Sequence, residues 1–406
     1  MRTLKSQLLL ILNNRLVRIQ ALGLLFLLPL LILSIHTNLS ERSNQLLVEL
    51  EAQAPDVNYV KKWNDANIDK YDERAVLENQ GADAFNLSLD YLKHGNYRSY
   101  LIEYTTYMIT GLLIRDKFYT YYSDIFNRYV AQDSRHEELL LWRSEKQSVF
   151  HSQQLLELSR DITDSEVTRT TSTDVLFSWL DYSTPGIFYV PLFFVITLLF
   201  ASPIFLDDKK HKSLLEIKPI SPYKYLLDKV LSYWIIITGF ELMILGIILF
   251  GVSFKFGLGD LSLNILIFNG EEELMISQLE FYGRAGLFFL LINFFLTTLL
   301  SLTNFLFSSK PLSFLIGVFV LFLEPILRFL QVNPIFSDSL PTSYISFGPV
   351  LHGLKEQFFK YGSFTFEKGV VVLIVSSLFF LILTCLFMIL RDRWSQNRRF
   401  VWALRR

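Results

Sequence analysis

The sequence predicts an all-α polytopic membrane protein, with six transmembrane helices and a large, mainly helical extracellular domain between the first and second. Three observations lead to this fold class. Hydrophobic residues make up 51% of the 406-residue chain, and its mean hydropathy is +0.34. Apolar runs of about twenty residues, the length that a helix needs to cross roughly 30 Å of hydrocarbon, recur along the chain. Acidic and basic residues are segregated into different segments.

Each apolar run is assigned to one transmembrane helix. The prolines within them, such as Pro191 and Pro325, are compatible with membrane helices because neighbouring helices can bond the freed backbone groups. A cleavable signal peptide is the alternative for the first run, but no small-residue cleavage site follows it, so a retained span is favoured. The six predicted spans are residues 19–36, 187–206, 230–252, 285–307, 312–330 and 369–390.

Loop charge predicts the orientation of the chain. Residues 37–186 carry 24 acidic and 15 basic side chains, a net charge of −9, whereas the rest of the chain carries +8. The basic residues concentrate before the first span, in the loop 207–229 and in the tail 391–406. Because cytoplasmic loops are enriched in Lys and Arg, both termini are predicted to be cytoplasmic.

The segments outside the spans have different expected roles. Residues 1–18 are predicted to form an amphipathic helix on the inner membrane surface, with a cytoplasmic continuation of the first span as the alternative. Residues 37–186 are long enough for a separate domain. The tyrosines at 97–129 form either an aromatic ligand surface or helix-packing contacts, and packing is favoured. Residues 253–284 and 331–368 are predicted to be extracellular segments.

No motif of a known catalytic or metal centre is found in the sequence. A phosphate-binding loop of the form G-x-x-x-x-G-K-S/T, the zinc motif H-E-x-x-H and the nucleophile motif G-x-S-x-G are all missing. The single cysteine, Cys385, lies within the last span and cannot form an intramolecular disulfide. We therefore expect no catalytic residue, no bound metal or cofactor and no nucleic-acid partner for this chain.

Three ionisable residues within the predicted spans are candidates for a functional site, because charge at membrane depth is costly and usually faces protein or water. Glu241 lies near the middle of the third span, where it either lines a substrate path or forms a hydrogen bond between helices. Glu324 and Arg328 are four residues apart in the fifth span and share a helix face. A structural ion pair between them is favoured over a role in the substrate path.

The loop 207–229 carries six lysines and two closely spaced prolines, with Leu214, Leu215 and Ile217 available to form an apolar ridge. This segment resembles the first cytoplasmic loop of ABC-2 type permeases, a family of bacterial exporter subunits, in which T-L-E-x-L is followed by P-V/I-S-R and then G-K. Lys212, Pro222 and Asp228 depart from that pattern. The matching residues are Ser213, Leu214, Glu216, Pro219, Ile220, Ser221 and Lys229.

The resemblance implies a short coupling helix in this loop, seated in a groove of a separate ATPase subunit that binds ATP and Mg²⁺. It also implies a bacterial plasma-membrane location and a second permease subunit, identical or different, with the substrate path between the two. Members of the family with large outer domains export peptides, toxins, antibiotics or lipids. The residues expected to bind the ATPase are Lys212, Ser213, Leu214, Leu215, Glu216, Pro219, Ile220 and Ser221.

Two other interpretations of the sequence stay open. The loop 207–229 is alternatively a plain basic loop that follows the charge rule for cytoplasmic segments. The whole chain is alternatively a membrane sensor or mechanotransmission component, in which residues 37–186 bind a ligand without transport of a substrate across the membrane.

Overall fold

The computed structural model describes residues 2–68, 72–114, 117, 132–180, 189–205, 221–269, 272–330, 336–355 and 363–403. Within these ranges the chain is mostly helical. It divides into two compact units, which we call the membrane unit and the hairpin unit. The membrane unit comprises Met1–Pro29, Gly186–Ile247 and Gly283–Arg406, and the hairpin unit comprises Leu30–Pro185 and Ile248–Tyr282.

The helices vary widely in length. Two of them, α6 and α12, have only four residues each, whereas α2 has 53. The α-helices are α1 (Arg2–Asn13), α2 (Arg15–Asn67), α3 (Glu73–Lys93), α4 (Tyr97–Ile114), α5 (Gln132–Glu157), α6 (Asp164–Val167), α7 (Ser172–Leu180), α8 (Tyr189–Ala201), α9 (Pro222–Phe256), α10 (Gln278–Phe307), α11 (Lys310–Phe329), α12 (Gly348–Leu351) and α13 (Phe366–Ala403).

Five of the described helices are long and apolar enough to cross a membrane. These candidate spans are Val17–Asn67, Tyr223–Phe256, Gln278–Phe307, Lys310–Leu327 and Phe366–Arg391. They coincide with the first, third, fourth, fifth and sixth predicted spans. The predicted second span, 187–206, lies partly outside the described residues, and its described helix α8 has 13 residues. A sixth span therefore stays a prediction.

The helix that contains the first predicted span extends well beyond that span. The sequence predicts an amphipathic helix over residues 1–18 and a span that ends at residue 36. In the structure α1 ends at Asn13, and α2 then continues without interruption from Arg15 to Asn67. At 1.5 Å per residue, a helix of 53 residues is about 80 Å long, more than twice the thickness of the hydrocarbon layer. The apolar run predicts which part of the helix can cross the membrane, but the end of the run is not the end of the helix.

The membrane unit is organised around α10. Two thirds of the apolar window of this helix is buried (67%), against 33% or less for each of the other four candidate spans. Phe288, Phe295 and Leu296 of α10 are buried, and Gly317 of α11 allows a close approach to Leu198 of α8. A Cβ atom at Gly317 would lie 2.7 Å from Leu198 Cδ2. Small residues have this role at helix contacts in membranes, where close van der Waals packing drives association.

The hairpin unit contains the only described strands, and they lie in residues 253–284, which the sequence assigned to an extracellular segment. Strands β1 (Asn264–Asn269) and β2 (Glu272–Ser277) pair antiparallel, with Asn264 opposite Ser277. β1 reads Asn-Ile-Leu-Ile-Phe-Asn, in which a run of β-branched and aromatic residues favours a strand. The short apolar run lacks the length of a membrane span, and the prediction treated it as an irregular surface segment.

The helices of the hairpin unit pack around a compact apolar core. Helices α3 and α4 form a helical hairpin, and Gly95 in the connecting turn has a left-handed φ of 70°, which glycine adopts without strain. Tyr100 and Tyr104 of α4 stack with ring centroids 5.4 Å apart, and Tyr107 packs edge-on against Phe85. These contacts support helix packing as the role of the described tyrosines. The core residues are Leu50, Phe85, Leu89, Tyr100, Leu101, Leu155, Ile162 and Leu263.

Candidate functional site

Glu241 joins three helices of the membrane unit through its carboxyl group. It lies on α9 and is fully buried, with an exposed fraction of 0%. Its Oε1 is 2.6 Å from the hydroxyl of Thr197 on α8, and its Oε2 is 2.5 Å from Nδ2 of Asn293 on α10. The Thr197 hydroxyl and the Asn293 side-chain carbonyl are also hydrogen bonded to each other. The three side chains therefore form a closed ring.

The number of hydrogens in this ring requires a proton on Glu241. Each of the three contacts needs one hydrogen between its two electronegative atoms. The Thr197 hydroxyl supplies one, and the Asn293 amide supplies one. The third must belong to the carboxyl group, and this holds for either orientation of the Asn293 amide. A neutral carboxylic acid is also the form that avoids the cost of a buried, unpaired charge.

This arrangement corresponds to the hydrogen bond between helices that the sequence offers as one role for Glu241. In a neutral ring the carboxyl group holds α8, α9 and α10 together, without a charge that needs a counter-ion. A substrate would have to break these bonds to reach Glu241, because the side chain has no exposed surface in this conformation. A role for Glu241 in a substrate path stays a prediction.

Asn293 is the first of four polar side chains on one face of α10. The others are Thr297, Ser301 and Asn304, spaced by four, four and three residues, and all are buried. This spacing places them on one stripe of the helix. The amide of Asn304 donates to the Ser202 carbonyl at 2.6 Å and accepts from the Phe205 backbone N–H at 3.0 Å. Asn304 thus holds the residues that follow α8.

Pro203 explains why the chain needs this support. Proline lacks a backbone N–H, so the Leu199 carbonyl loses its helical donor four residues ahead. The Ser202 hydroxyl replaces that donor, at 3.2 Å from the Leu199 oxygen. Asn304 bonds the backbone on either side of the break. The end of α8 is therefore fixed by α10 immediately before residue 206, where the described chain stops.

The predicted coupling loop lies outside the described residues between 206 and 220, and only Ser221 of its proposed docking residues is described. Ser221 directly precedes α9, and its carbonyl accepts the Tyr225 N–H at 3.0 Å. Pro222 follows as the first residue of α9, a position where a missing N–H costs nothing. Helix α9 thus begins at Pro222, eight residues before the predicted start of the third span at residue 230, and Pro219 lies outside the described residues.

Lys229 connects the two ends of this loop. The side chain is buried on α9, and its ammonium group lies 5.2 Å from the ring centroid of Phe205, the last described residue before the loop. It also donates to the Tyr225 hydroxyl at 3.1 Å. Cation–π contacts contribute about 2 kcal/mol or more when they are desolvated. We call Phe205, Lys229 and Asn304 the loop stem.

Glu324 forms a buried ion pair with a residue that the sequence argument missed. Its Oε1 lies 2.5 Å from Nζ of Lys355, and the two side chains are 3% and 1% exposed. The predicted partner, Arg328, belongs to the same helix α11, but its side chain lies outside the described part of the chain. Lys355 was assigned to an extracellular segment, 31 residues away, with no local pattern that points to Glu324. The sequence does indicate that Glu324 needs a partner, because a buried acid requires a cation.

Among the described residues, no group of three or more His, Cys, Asp and Glu side chains is placed to hold a metal ion. The described membrane unit offers buried hydrogen bonds and two ion pairs, the buried pair Glu324–Lys355 and the more exposed pair Asp338–Lys368. Comparison of the sequence with protein-family models found no match, and no curated protein matched the chain.

Proposed function

We propose that this chain is a membrane-spanning permease subunit of an ATP-binding-cassette exporter, powered by a separate ATPase subunit. A second permease subunit completes the substrate path, and the exported substrate is a peptide, a toxin or antibiotic, or a lipid-like molecule. The resemblance of the loop 207–229 to the coupling loop of ABC-2 permeases motivates the proposal. The chain carries no phosphate-binding loop of its own, so ATP and Mg²⁺ are assigned to the partner.

The loop stem is the observation that supports this proposal best. Force that a partner applies to a loop reaches the membrane helices only when both ends of the loop are held by buried contacts. Here Asn304 bonds the backbone at the end of α8, and Lys229 of α9 covers the Phe205 ring. A displacement of residues 206–220 would therefore act on α8, α9 and α10 together. The same three helices meet again at the Glu241 ring.

Co-expression with candidate ATP-binding-cassette ATPases from the same organism tests the proposal. The chain is purified in detergent, the amount of bound ATPase is measured, and ATP hydrolysis is compared with that of the ATPase alone. Leu214→Ala should weaken the complex by about tenfold, because burial of a leucine contributes roughly 1.5–3 kcal/mol and 1.4 kcal/mol corresponds to a factor of ten. Glu216→Ala should lower the permease-dependent part of ATP hydrolysis.

Matched substitutions in the hairpin unit serve as controls. Leu279→Ala removes a leucine that is 69% exposed in the hairpin unit, and Glu41→Ala removes an exposed carboxylate. Both should leave assembly and hydrolysis unchanged. If the loop variants bind the ATPase and support hydrolysis as well as these controls do, the assignment of residues 207–229 as a coupling loop is wrong. Permease-dependent hydrolysis without movement of any substrate would instead favour the mechanotransmission alternative.

A further inference from the structure

A cavity of about 250 Å³ lies within the hairpin unit. Helix α5 contributes its Gln147–His151 segment to the wall, α7 contributes Asp174 and Phe177, and β1 contributes its first three residues. The cavity is slightly smaller than the 300–1,000 Å³ typical of pockets for drug-sized ligands. Its volume therefore suits a small molecule.

The wall of the cavity combines two cations with one acid. Arg42 and Arg169 supply guanidinium groups, the side chain that matches a carboxylate with two parallel hydrogen bonds. Asp174 is held by the hydroxyl and the backbone N–H of Thr171. Burial raises the pKa of Asp174, against the opposing effect of the Thr171 hydrogen bonds and the two arginines.

Histidine does not add to the positive charge of the cavity. Burial, together with the nearby Arg169, lowers the pKa of His151 to about 3, so the imidazole is neutral at pH 7. The arginines therefore dominate the charge around the cavity. Arg169 also has a left-handed backbone conformation, with a φ of 52°. This conformation closes the C-terminal end of α6, where the Thr170 backbone N–H bonds the Ser165 carbonyl at 2.9 Å.

Gln278 presents a buried hydrogen-bond acceptor without a partner. The residue lines the cavity and is only 4% exposed, and its Oε1 accepts no hydrogen bond from the described residues. Its backbone N–H is satisfied by the Leu263 carbonyl at 2.9 Å. A buried acceptor left in this state costs about 1–3 kcal/mol. A ligand that carries an N–H group would remove this cost.

Aromatic side chains complete the wall. Phe150 and Phe177 line the cavity together with the polar groups, so a ligand would contact both apolar and charged surfaces. We propose that the cavity binds a free α-amino acid, with its carboxylate on the two arginines, its ammonium group on Gln278 and its side chain against the phenylalanines. This site is independent of the proposed export function, because all the wall residues belong to the hairpin unit.

Isothermal titration calorimetry of the purified full-length chain in detergent tests this site with four probes. L-Phenylalanine should bind. L-Phenylalaninamide lacks the carboxylate and should bind at least about tenfold more weakly, because hydrogen bonds to charged groups contribute roughly 1.5–3 kcal/mol. 3-Phenylpropionate lacks the ammonium group and should also bind more weakly. Inorganic phosphate tests whether the arginines bind any anion, and we expect no comparable affinity.

Two variants and a control connect binding to the cavity. Arg42→Gln should lower phenylalanine affinity by about tenfold or more, and the exposed position of Arg42 makes a folding defect an implausible cause. Gln278→Met removes the acceptor and should abolish the preference for phenylalanine over 3-phenylpropionate. Lys62→Gln removes a cation from an exposed position on α2 and should have no effect.

Four results would overturn the proposal. These are no binding of phenylalanine to the unmodified chain, equal affinity for phenylalanine and its amide, phosphate binding as tight as that of phenylalanine, and unchanged affinity in Arg42→Gln. If Gln278→Met does not fold, the comparison of the probes on the unmodified chain still decides between the amino acid and a simple anion.

Discussion

At the scale of single residues, two acids of the membrane unit that are buried in the described structure are stabilised in different ways. Glu241 is part of a ring that closes only with a proton on its carboxyl group. Glu324 instead bonds directly to the ammonium group of Lys355. The first acid behaves as a neutral hydrogen-bonding group and the second as one half of an ion pair. Substitutions that remove charge and keep shape distinguish the two.

Glu241→Gln should leave the stability of the chain nearly unchanged. A glutamine amide can donate to Thr197 and accept from Asn293, so it keeps all three hydrogen bonds of the ring. Glu241→Leu should destabilise the chain by about 1–3 kcal/mol for each polar group left without a partner. Thermal unfolding in detergent measures both. Equal destabilisation by glutamine and leucine would show that the ring requires the carboxylate charge.

Lys355→Met should destabilise the membrane unit by about 3–5 kcal/mol, because it removes the cation that pairs with the buried Glu324 in the described part of the chain. The double variant Lys355→Met with Glu324→Gln should recover most of that loss. A double-mutant cycle of unfolding free energies measures the coupling between the two side chains. Additive effects of the two substitutions would contradict a direct ion pair.

Glu166 gives the hairpin unit a dependence on pH. Burial raises the pKa of Glu166, but hydrogen bonds from Arg160 and Thr163 outweigh it, so the pKa lies below its ordinary value of 4.5. A lowered pKa means that the ionised form stabilises the folded state above about pH 4.5, and this contribution is lost as the pH falls through the folded-state value. Glu166→Gln should therefore flatten the dependence of the unfolding temperature on pH between about pH 3 and 5. An unchanged slope would contradict this role.

At the scale of elements, the join between α8 and the residues that follow it depends on α10. Pro203 ends the helix, the Ser202 hydroxyl replaces the missing donor, and the Asn304 amide bonds the backbone on both sides of the break. The residues that follow α8 therefore begin from a position fixed by α10, the most buried of the five candidate spans.

Asn304→Leu should loosen the end of α8 by leaving the Ser202 carbonyl and the Phe205 N–H without partners, at about 1–3 kcal/mol for each. Hydrogen exchange should then increase in residues 199–205. Thr384→Val is a suitable control, since the buried Thr384 hydroxyl bonds the Phe380 carbonyl within its own helix. Unchanged exchange in Asn304→Leu would show that the amide does not hold this join.

At the scale of the whole molecule, hydrophobicity predicts the spans well, because each apolar run is long and continuous. Five predicted spans coincide with described helices that can cross a membrane. The β-hairpin was not predicted, since the short apolar run of β1 fits neither a span nor a clear alternating strand. The sequence also did not predict that α2 continues to Asn67. The apolar run ends near residue 36, but no helix-breaking pattern there shows whether the helix ends with it.

The candidate site was only partly predictable for a related reason. Glu241 stands out as the only acid of the predicted span 230–252, but Thr197 and Asn293 are ordinary polar residues on two other helices. Lys355 is separated from Glu324 by 31 residues. Such partners are selected by packing in three dimensions, and the single sequence shows only that a partner is required.

The central claim, that residues 212–221 dock on an ATPase subunit, has a direct test by cross-linking. Cys385 is the only cysteine of the chain, so Cys385→Ser provides a cysteine-free background. Leu214→Cys in this background should form a cross-link to the co-expressed ATPase with a short bifunctional thiol–amine reagent, whereas Leu279→Cys should not. Equal cross-linking at both positions, or none at residue 214 in an assembled complex, would contradict the assignment of this segment as the coupling loop.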